Sequence, residues 1–533
     1  MNKLWYGDNL TIMQAMGKHS VDLIYLDPPF NSKQNYNLLY KTMTGKPVPE
    51  QVEAFCDTWE MDAQKEQIAR SMPLLMREHG VDDYYVDFWK LWMQALRTSQ
   101  PHLLAYLIFM VQRLLHMKSI LRPTGSIYLH CDPTASHYIK VMMDGIFGHN
   151  NFRNEIIWKR ANAHNDARGY GRISDTLLFY TASNKFTWNT QHTPYREEYY
   201  ESHFKKDEND RWFRTVPLDA PRHGDGSPSL LYDWKGKLPA PSRTWAVKQE
   251  TMESYEAQGL LRYTRTGTPT LVQYADKMKG VPLQNIWSDI PPVNPQAKER
   301  LGYPTQKPIA LLKRIVLASS NKGDIVFDPF CGCGTTIYAA QETERKWIGC
   351  DIAILSVKLV REVLVEKYRL VESHDYAVDG IPTSVDGAQE LFNKDPSTFQ
   401  NWFVERVGGF PMQRKSADRG IDGRIYFETR DGLREMMIQV KGGKHVRPTD
   451  IRDLRGVLER EQTAEMAGFL SITPPTKAMM SEAAEAGTYE YGGIQYPRIQ
   501  FLTTEDVLGR KREFHMPTRI NTKLSTGQQS LAL

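Results

Sequence analysis

What this sequence lacks narrows it first. Its five cysteines, Cys56, Cys131, Cys331, Cys333 and Cys350, form no CxxC pair and no Cys/His zinc spacing. So sparse and odd a set excludes a disulfide scaffold and points to a reducing cytoplasm. There is no GxxxxGK[ST] loop, which argues against an ATP-driven motor in this chain. No internal repeat emerges. Met1 is followed by a polar start that does not read as a signal peptide. The most apolar helical stretch, Leu103–Met117, is interrupted by Gln112 and Arg113 and reads as too short to span a bilayer, so no membrane partner is expected. A strong charge of one sign is missing too: the net charge is +4 over 533 residues. Any basic surface must therefore be local. The length suits roughly three or four domains.

What is present centres on Val21–Phe30, VDLIYLDPPF. A near-continuous apolar run suits a strand buried on both faces of a parallel sheet. Pro28 and Pro29 end it, because proline gives no N–H to a ladder. Asp27, Pro28, Pro29 and Phe30 are thus presented at a strand's carboxyl edge, where open α/β sheets bind ligands. The residue types suit an exocyclic amine on a flipped base. The Asp27 carboxylate and the Pro28 carbonyl can accept its two N–H donors, and Phe30 can stack on the ring. Holding both donors aims the nitrogen lone pair at an incoming methyl. The plainer reading is a strand-ending turn.

Around this stretch the chain alternates strand and helix, as in a doubly wound α/β sheet. Asn31–Tyr40 reads as a loop over the base, or as an ordinary connection. Asp87–Leu96 reads as a helix whose tryptophans are core. Leu103–Leu121 reads as an amphipathic helix, Pro123-Thr124-Gly125 as a turn and Ser126–His130 as a strand. The next helix is expected to be capped near Asp132 with Pro133 in its first turn. From about 184 to 297 the rhythm stops. Arg211, Trp212, Arg214, Arg222, His223, Trp234, Lys235, Lys237, Arg243, Trp245, Arg262, Tyr263, Arg265, Lys277 and Lys279 interleave there, a composition for phosphate and base contact. The tryptophans are expected mostly as core, with some arginines free for a target.

The rhythm returns at Tyr303–Pro308 (YPTQKP) and continues through the helix Ile309–Ser319 to Asp324–Thr336, DIVFDPFCGCGTT. Here a strand meets a glycine turn and a helix start. Gly332 and Gly334 let backbone approach a ligand, and the helix N-terminus offers free N–H groups. The following strand, Lys346–Asp351, ends in an acid, the usual partner of ribose hydroxyls. Cys331 and Cys333 read as small turn residues.

Together, DPPF and DPFCGCG resemble the amino-methyltransferases that use S-adenosylmethionine. The order of the parts is similar to the β-group and to the modification subunits of type III restriction systems, over about 1–372. The resemblance implies a Rossmann-like methyltransferase fold with an inserted target-recognition region. It implies that Asp328, Phe330, Gly332, Gly334, Thr335 and Asp351 line the cofactor pocket, and that Thr305, Gln306 and Lys307 touch the methionine end. A leading Asp favours N6-adenine over N4-cytosine. Duplex DNA is the implied substrate, in a prokaryotic or phage cytoplasm, with a homodimer and a separate restriction or helicase subunit as the partners to consider.

A second α/β unit follows. Asp422 precedes one strand, and Gln439 and Lys441 share a face of the next, Met436–Lys441. An acid, an amide oxygen and a lysine can hold Mg²⁺, activate water and stabilise developing charge. This arrangement resembles the Mrr-like PD-(D/E)xK nucleases, over roughly 397–510. Glu405 or Gln400 is the candidate from the first helix; a salt-bridged strand pair is the plainer reading. The implied divisions are 1–183 (DPPF half), 184–297 (recognition insert), 298–372 (FxGxG half), 373–396 (linker), 397–510 (nuclease-like domain) and 511–533 (polar tail).

Overall fold

The computed structural model describes all residues except 30–35, 39–51, 56–58, 132–134, 162–168, 196, 223–226, 295, 304, 413–419, 431, 444, 462 and 518–533; in 36–38 and 52–55 only the backbone is described. The chain forms two compact units, one of Met1–Asn189 with Asn285–Leu533, the other of Thr190–Gln284.

The first unit is built on a nine-stranded sheet. Its strands are β1 (Asn2–Tyr6), β2 (Val21–Leu26), β3 (Leu121–Cys131), β4 (Phe152–Lys159), β5 (Ser174–Thr181), β6 (Ile286–Trp287), β7 (Ile325–Asp328), β8 (Lys346–Asp351) and β9 (Tyr376–Asp379). They lie in the order β6-β4-β5-β3-β2-β7-β8-β1-β9. All run the same way except β5, which is antiparallel to both β3 and β4. Every residue of β2 is buried, as its unbroken apolar run requires of a central parallel strand.

Helix α1 (Pro101–Ile120) packs in the core beside β2. At 20 residues it is long and apolar enough to cross a membrane, so the expected shortfall in length is corrected. Nor is it amphipathic: 72% of its most apolar window is buried inside the protein, which accounts for the composition. Its Arg113 is buried yet satisfied, donating to Asn9 Oδ1 and Asp8 Oδ1 at 2.7 Å each. Trp89 is fully buried, as expected, whereas Phe88 is exposed. Pro123-Thr124-Gly125 is not a turn between elements. It lies within β3, as a bulge where the register with β2 jumps from Val21↔Leu121 to Leu23↔Ser126. A Cβ on Gly125 would come within 2.8 Å of the Asp22 carbonyl, which explains the glycine. The helix cap expected at Asp132 and Pro133 lies outside the described residues, as does the sequence-predicted loop over a base, apart from the backbone of Tyr36–Leu38.

The expected linker is not one. Residues 376–379 form β9, which covers the edge of β1, and Val385–Lys394 is a helix. Beyond it a second, five-stranded sheet runs β10 (Phe410–Pro411), β11 (Gly423–Thr429), β12 (Gly432–Lys441), β13 (Ala464–Ser471) and β14 (Ile499–Thr503), in that order. β12, β13 and β14 are parallel and β11 is antiparallel to β12. The segment after 510 is not all tail: Phe514 is buried, and His515 N–H donates to Gln500 Oε1 at 2.8 Å.

The second unit holds a four-stranded antiparallel sheet that includes Trp212–Pro217 and Pro269–Tyr274. Trp234 and Trp245 are core with Leu218 and Met252, as expected. Arg211 stacks on Tyr274 at 3.8 Å and Arg262 on Phe213 at 4.1 Å. Lys235 pairs with Glu256, and Arg243 with Asp219. His223 is outside the described residues.

Candidate active site

The chain leaves β2 toward β3 on one side, while β7 and β8 extend the sheet on the other. That is a topological switch point, and such points leave a crevice at the carboxyl ends of the strands. Asp27 follows β2, and Asp328 and Asp351 end β7 and β8, so all three acids reach this edge.

The two halves of the chain meet here. The Lys307 ammonium pairs with Asp27 Oδ2 in a largely buried ion pair. Asp27 Oδ1 is buried and has no hydrogen-bond partner among the described residues. An acceptor left in that condition costs ~1–3 kcal/mol until a donor reaches it. Pro28 is buried and Pro29 half-buried beside it; Phe30 lies outside the described residues. In the YPTQKP stretch, Gln306 closes its own loop. Its Nε2 donates to the Glu299 carbonyl at 2.5 Å, and its Oε1 accepts from Leu301 N–H at 2.8 Å. Thr305 is half-buried in the same turn.

The glycine turn follows β7. Gly332 has φ +51 and Gly334 φ +86, conformations that favour glycine. Space demands it too: a Cβ on Gly332 would sit 3.2 Å from the Tyr303 ring, and one on Gly334 2.8 Å from Val360. Asp351 pins the turn, accepting from Gly332 N–H and Ala353 N–H at 2.8 Å each. Asp328 accepts from Phe330 N–H at 3.0 Å. Burial pushes the Asp328 carboxyl up to about 7 and that of Asp351 to about 6. Phe330 packs 6.2 Å from the Phe109 ring, and buried Thr335 begins helix α2 (Thr335–Glu342). Burial also raises the thiols, that of Cys333 to about 11, so neither cysteine of the turn is prepared to act as a thiolate.

Sequence reasoning missed a buried polar chain that starts two residues before Asp27. The Tyr25 hydroxyl meets His130 Nδ1 at 2.9 Å, and His130 Nε2 meets Asp175 Oδ2 at 3.1 Å. Arg160 closes the chain on Asp175 at 3.0 Å. A histidine ending the apolar run SIYLH was the available signal. Also missed was the tie from Asn9 Nδ2 to the Pro329 carbonyl, 2.8 Å, which joins the start of the chain to the DPF turn.

A family model described as DNA methylase matches residues 21–362. The chain belongs to this DNA methylase family. Among its relatives are the type II methyltransferase M.EcaI of Enterobacter cloacae, 34% identical over 48% of this chain and 56% of that protein. The Mod subunit of the type III restriction-modification enzyme StyLTI of Salmonella typhimurium is 26% identical over 65% of this chain and 51% of its own length. The DNA adenine methyltransferase YhdJ of Escherichia coli is 52% identical over 14% of this chain and 25% of its own. The chain thus spans about half the length of the first two.

The DNA methylase match stops short of the second sheet. There Asp422 accepts from Gln400 Nε2 at 2.7 Å and from Val440 N–H at 2.6 Å. Gln439 is buried, and its Oε1 has no partner among the described residues. Lys441 lies 3.7 Å from Asp450. Helix α3 spans Ile354–Glu366 and helix α4 Pro396–Arg406. Of the two side chains that α4 was expected to offer, Gln400 reaches Asp422. Glu405 instead turns away, accepting from Ile354 N–H at 3.1 Å at the start of α3. Burial pushes its carboxyl up to about 8. No group of three His, Cys, Asp or Glu that could hold a metal exists among the described residues.

Proposed function

We propose that this DNA methylase transfers a methyl group from S-adenosylmethionine to the N6 amine of adenine at a specific site in duplex DNA, as part of a restriction-modification system. One observation carries the reading: a carboxylate anchored by Lys307 at the switch-point crevice keeps a buried oxygen that no donor among the described residues reaches. The glycine turn supports the donor's fit, since Gly332 at φ +51 and Gly334 at φ +86 fold the backbone tightly at the edge where Asp328 and Asp351 end their strands. Bound there, S-adenosylmethionine supplies an electrophilic sulfonium methyl. Gly332 and Gly334 would let the backbone close on it, Asp351 would face the ribose, and Asp328, Phe330 and Thr335 would complete the wall. Asp27 Oδ1 would accept one amine N–H and the Pro28 carbonyl the other, leaving the nitrogen lone pair toward the methyl. Phe30 would stack on the base. The leading Asp of DPPF favours adenine, in keeping with the similarity to YhdJ. Residues 190–284 would read the site. A type III Mod subunit among the relatives supports a separate restriction subunit as partner.

The test is transfer of labelled methyl groups to duplex DNA, with structured RNA as competitor. Loss of transfer in Asp27→Ala is expected. Unchanged transfer rejects the assignment.

For the second sheet we infer a Mg²⁺-dependent nuclease site on Asp422 and Gln439, with Lys441 stabilising developing charge. Gln439 Oε1, without a partner among the described residues, supports it as a cation ligand. Mg²⁺ would supply an activated water and a polarised phosphate. A DNA-binding clamp without cleavage is the second reading, favoured by the donors already on both Asp422 oxygens. Mg²⁺-dependent cutting of unmethylated DNA that Lys441→Ala abolishes supports the nuclease; no cutting by the wild type supports the clamp.

A further inference from the structure

A cleft of about 230 Å³ opens on the C-terminal sheet, lined by none of the candidate site residues. It is lined by the apolar Val407, Leu502 and Val507 and by Arg406, Arg510 and Arg512, with Glu513 as the one acid. Lys511, between two of these arginines, is paired with Glu505 at 2.7 Å. The three guanidiniums have no ion-pair partner among the described residues. Arg510 is held at φ +50, directly after Gly509. A bulky residue in the left-handed region is a local strain that tends to accompany function.

The strand register locates the cleft. Lys441 lies opposite Ser471, and Ser471 opposite Thr503, the residue after Leu502. Thr503 is therefore about 10 Å from Lys441 along the backbone hydrogen-bonding direction, at the same carboxyl edge. Arg406 follows Gln400 on α4 by six residues, about 9 Å along the helix axis.

We propose that this cleft binds successive phosphodiesters of the DNA strand flanking the Asp422–Gln439–Lys441 constellation, one to each guanidinium. Planar guanidiniums suit phosphate oxygens, and several of them around one concavity grip a backbone without reading its bases. The proposal rests on the C-terminal unit acting on DNA, but not on its cutting DNA. A purely structural role would have another cause. Arg406 ends α4, and Arg510 follows α5 (Thr504–Leu508), so the charges would only offset helix carbonyls.

The experiment measures binding of the full chain to a labelled duplex across a salt series, without Mg²⁺. Wild type is compared with Arg406→Gln/Arg510→Gln/Arg512→Gln, and Lys441→Ala serves as a cleavage-dead control. The slope of log affinity against log salt should become shallower by about 2.7 in the triple variant, about 0.9 for each phosphate that an arginine no longer neutralises. Each single variant should lose about 0.9, which keeps the test open if the triple variant fails to fold, and Arg510→Lys should retain the slope. An unchanged slope overturns the proposal, whether or not the variants melt lower. So does saturable stabilisation by inorganic phosphate or ATP with the DNA slope unchanged, which would assign the cleft to a free phosphate ligand. A wild-type protein that binds with the full slope but never cuts would instead count against the nuclease reading alone.

Discussion

Glu405→Gln replaces a half-buried ionisable acid by a neutral group of the same shape. In an unfolded chain a glutamate loses its proton near 4.5, whereas here burial holds the proton to about 8. Between those values the folded chain binds a proton that the unfolded chain has already lost. Stability contributed by this group is therefore full below about pH 4.5, falls as pH rises toward 8, and is constant above. At about 1.36 kcal/mol per pH unit, the whole window is worth about 3–5 kcal/mol. Glutamine keeps the acceptor for Ile354 N–H and cannot ionise, so the variant escapes that loss. Thermal melts of both proteins from pH 5 to 9 should coincide near pH 5 and diverge in favour of the variant up to pH 8. Asp328 and Asp351, also raised by burial, leave a common downward slope in both curves. A difference that stays constant with pH, or a variant less stable at pH 8, would refute the reasoning.

Lys307→Met should leave the Asp27 carboxylate without its cation. Methyl transfer at neutral pH should fall by about 100-fold, the order expected when one partner of a buried ion pair is removed, and full activity in the variant would take Lys307 out of the site. Gly334→Ala should cost about 1–3 kcal/mol, from φ +86 and the 2.8 Å approach to Val360, and should weaken S-adenosylmethionine binding in calorimetry. Asp175→Asn should lower the melting temperature by removing the ionised acceptor of buried His130, about 1–3 kcal/mol, while the ring stays against Tyr25.

The elements legible in the sequence were those whose pattern is local. An unbroken apolar run gave the buried strand β2, and helix period gave Ile309–Ser319 at the residues observed. Gly332 and Gly334 were legible because positive φ and close approach leave few alternatives. What was not legible depends on partners far along the chain. Pro-Thr-Gly normally marks a turn, yet here it is absorbed as a bulge because β3 continues pairing with β2 past it. Residues 376–379 carry too short a pattern to announce a strand, and only the open edge of β1 makes them one. Arg113 interrupted an apolar helix for a reason visible only in three dimensions, its bonds to Asp8 and Asn9. Glu405 and Gln400 share a helix, and which of them meets Asp422 is decided by helix rotation against two different sheets.

The most direct test of the account is to digest DNA from cells expressing the wild-type protein or Asp27→Ala to nucleosides and weigh them. N6-methyladenine in the wild-type digest and its loss in the variant are predicted. N4-methylcytosine in its place, or N6-methyladenine undiminished in Asp27→Ala, would contradict the role given to that carboxylate.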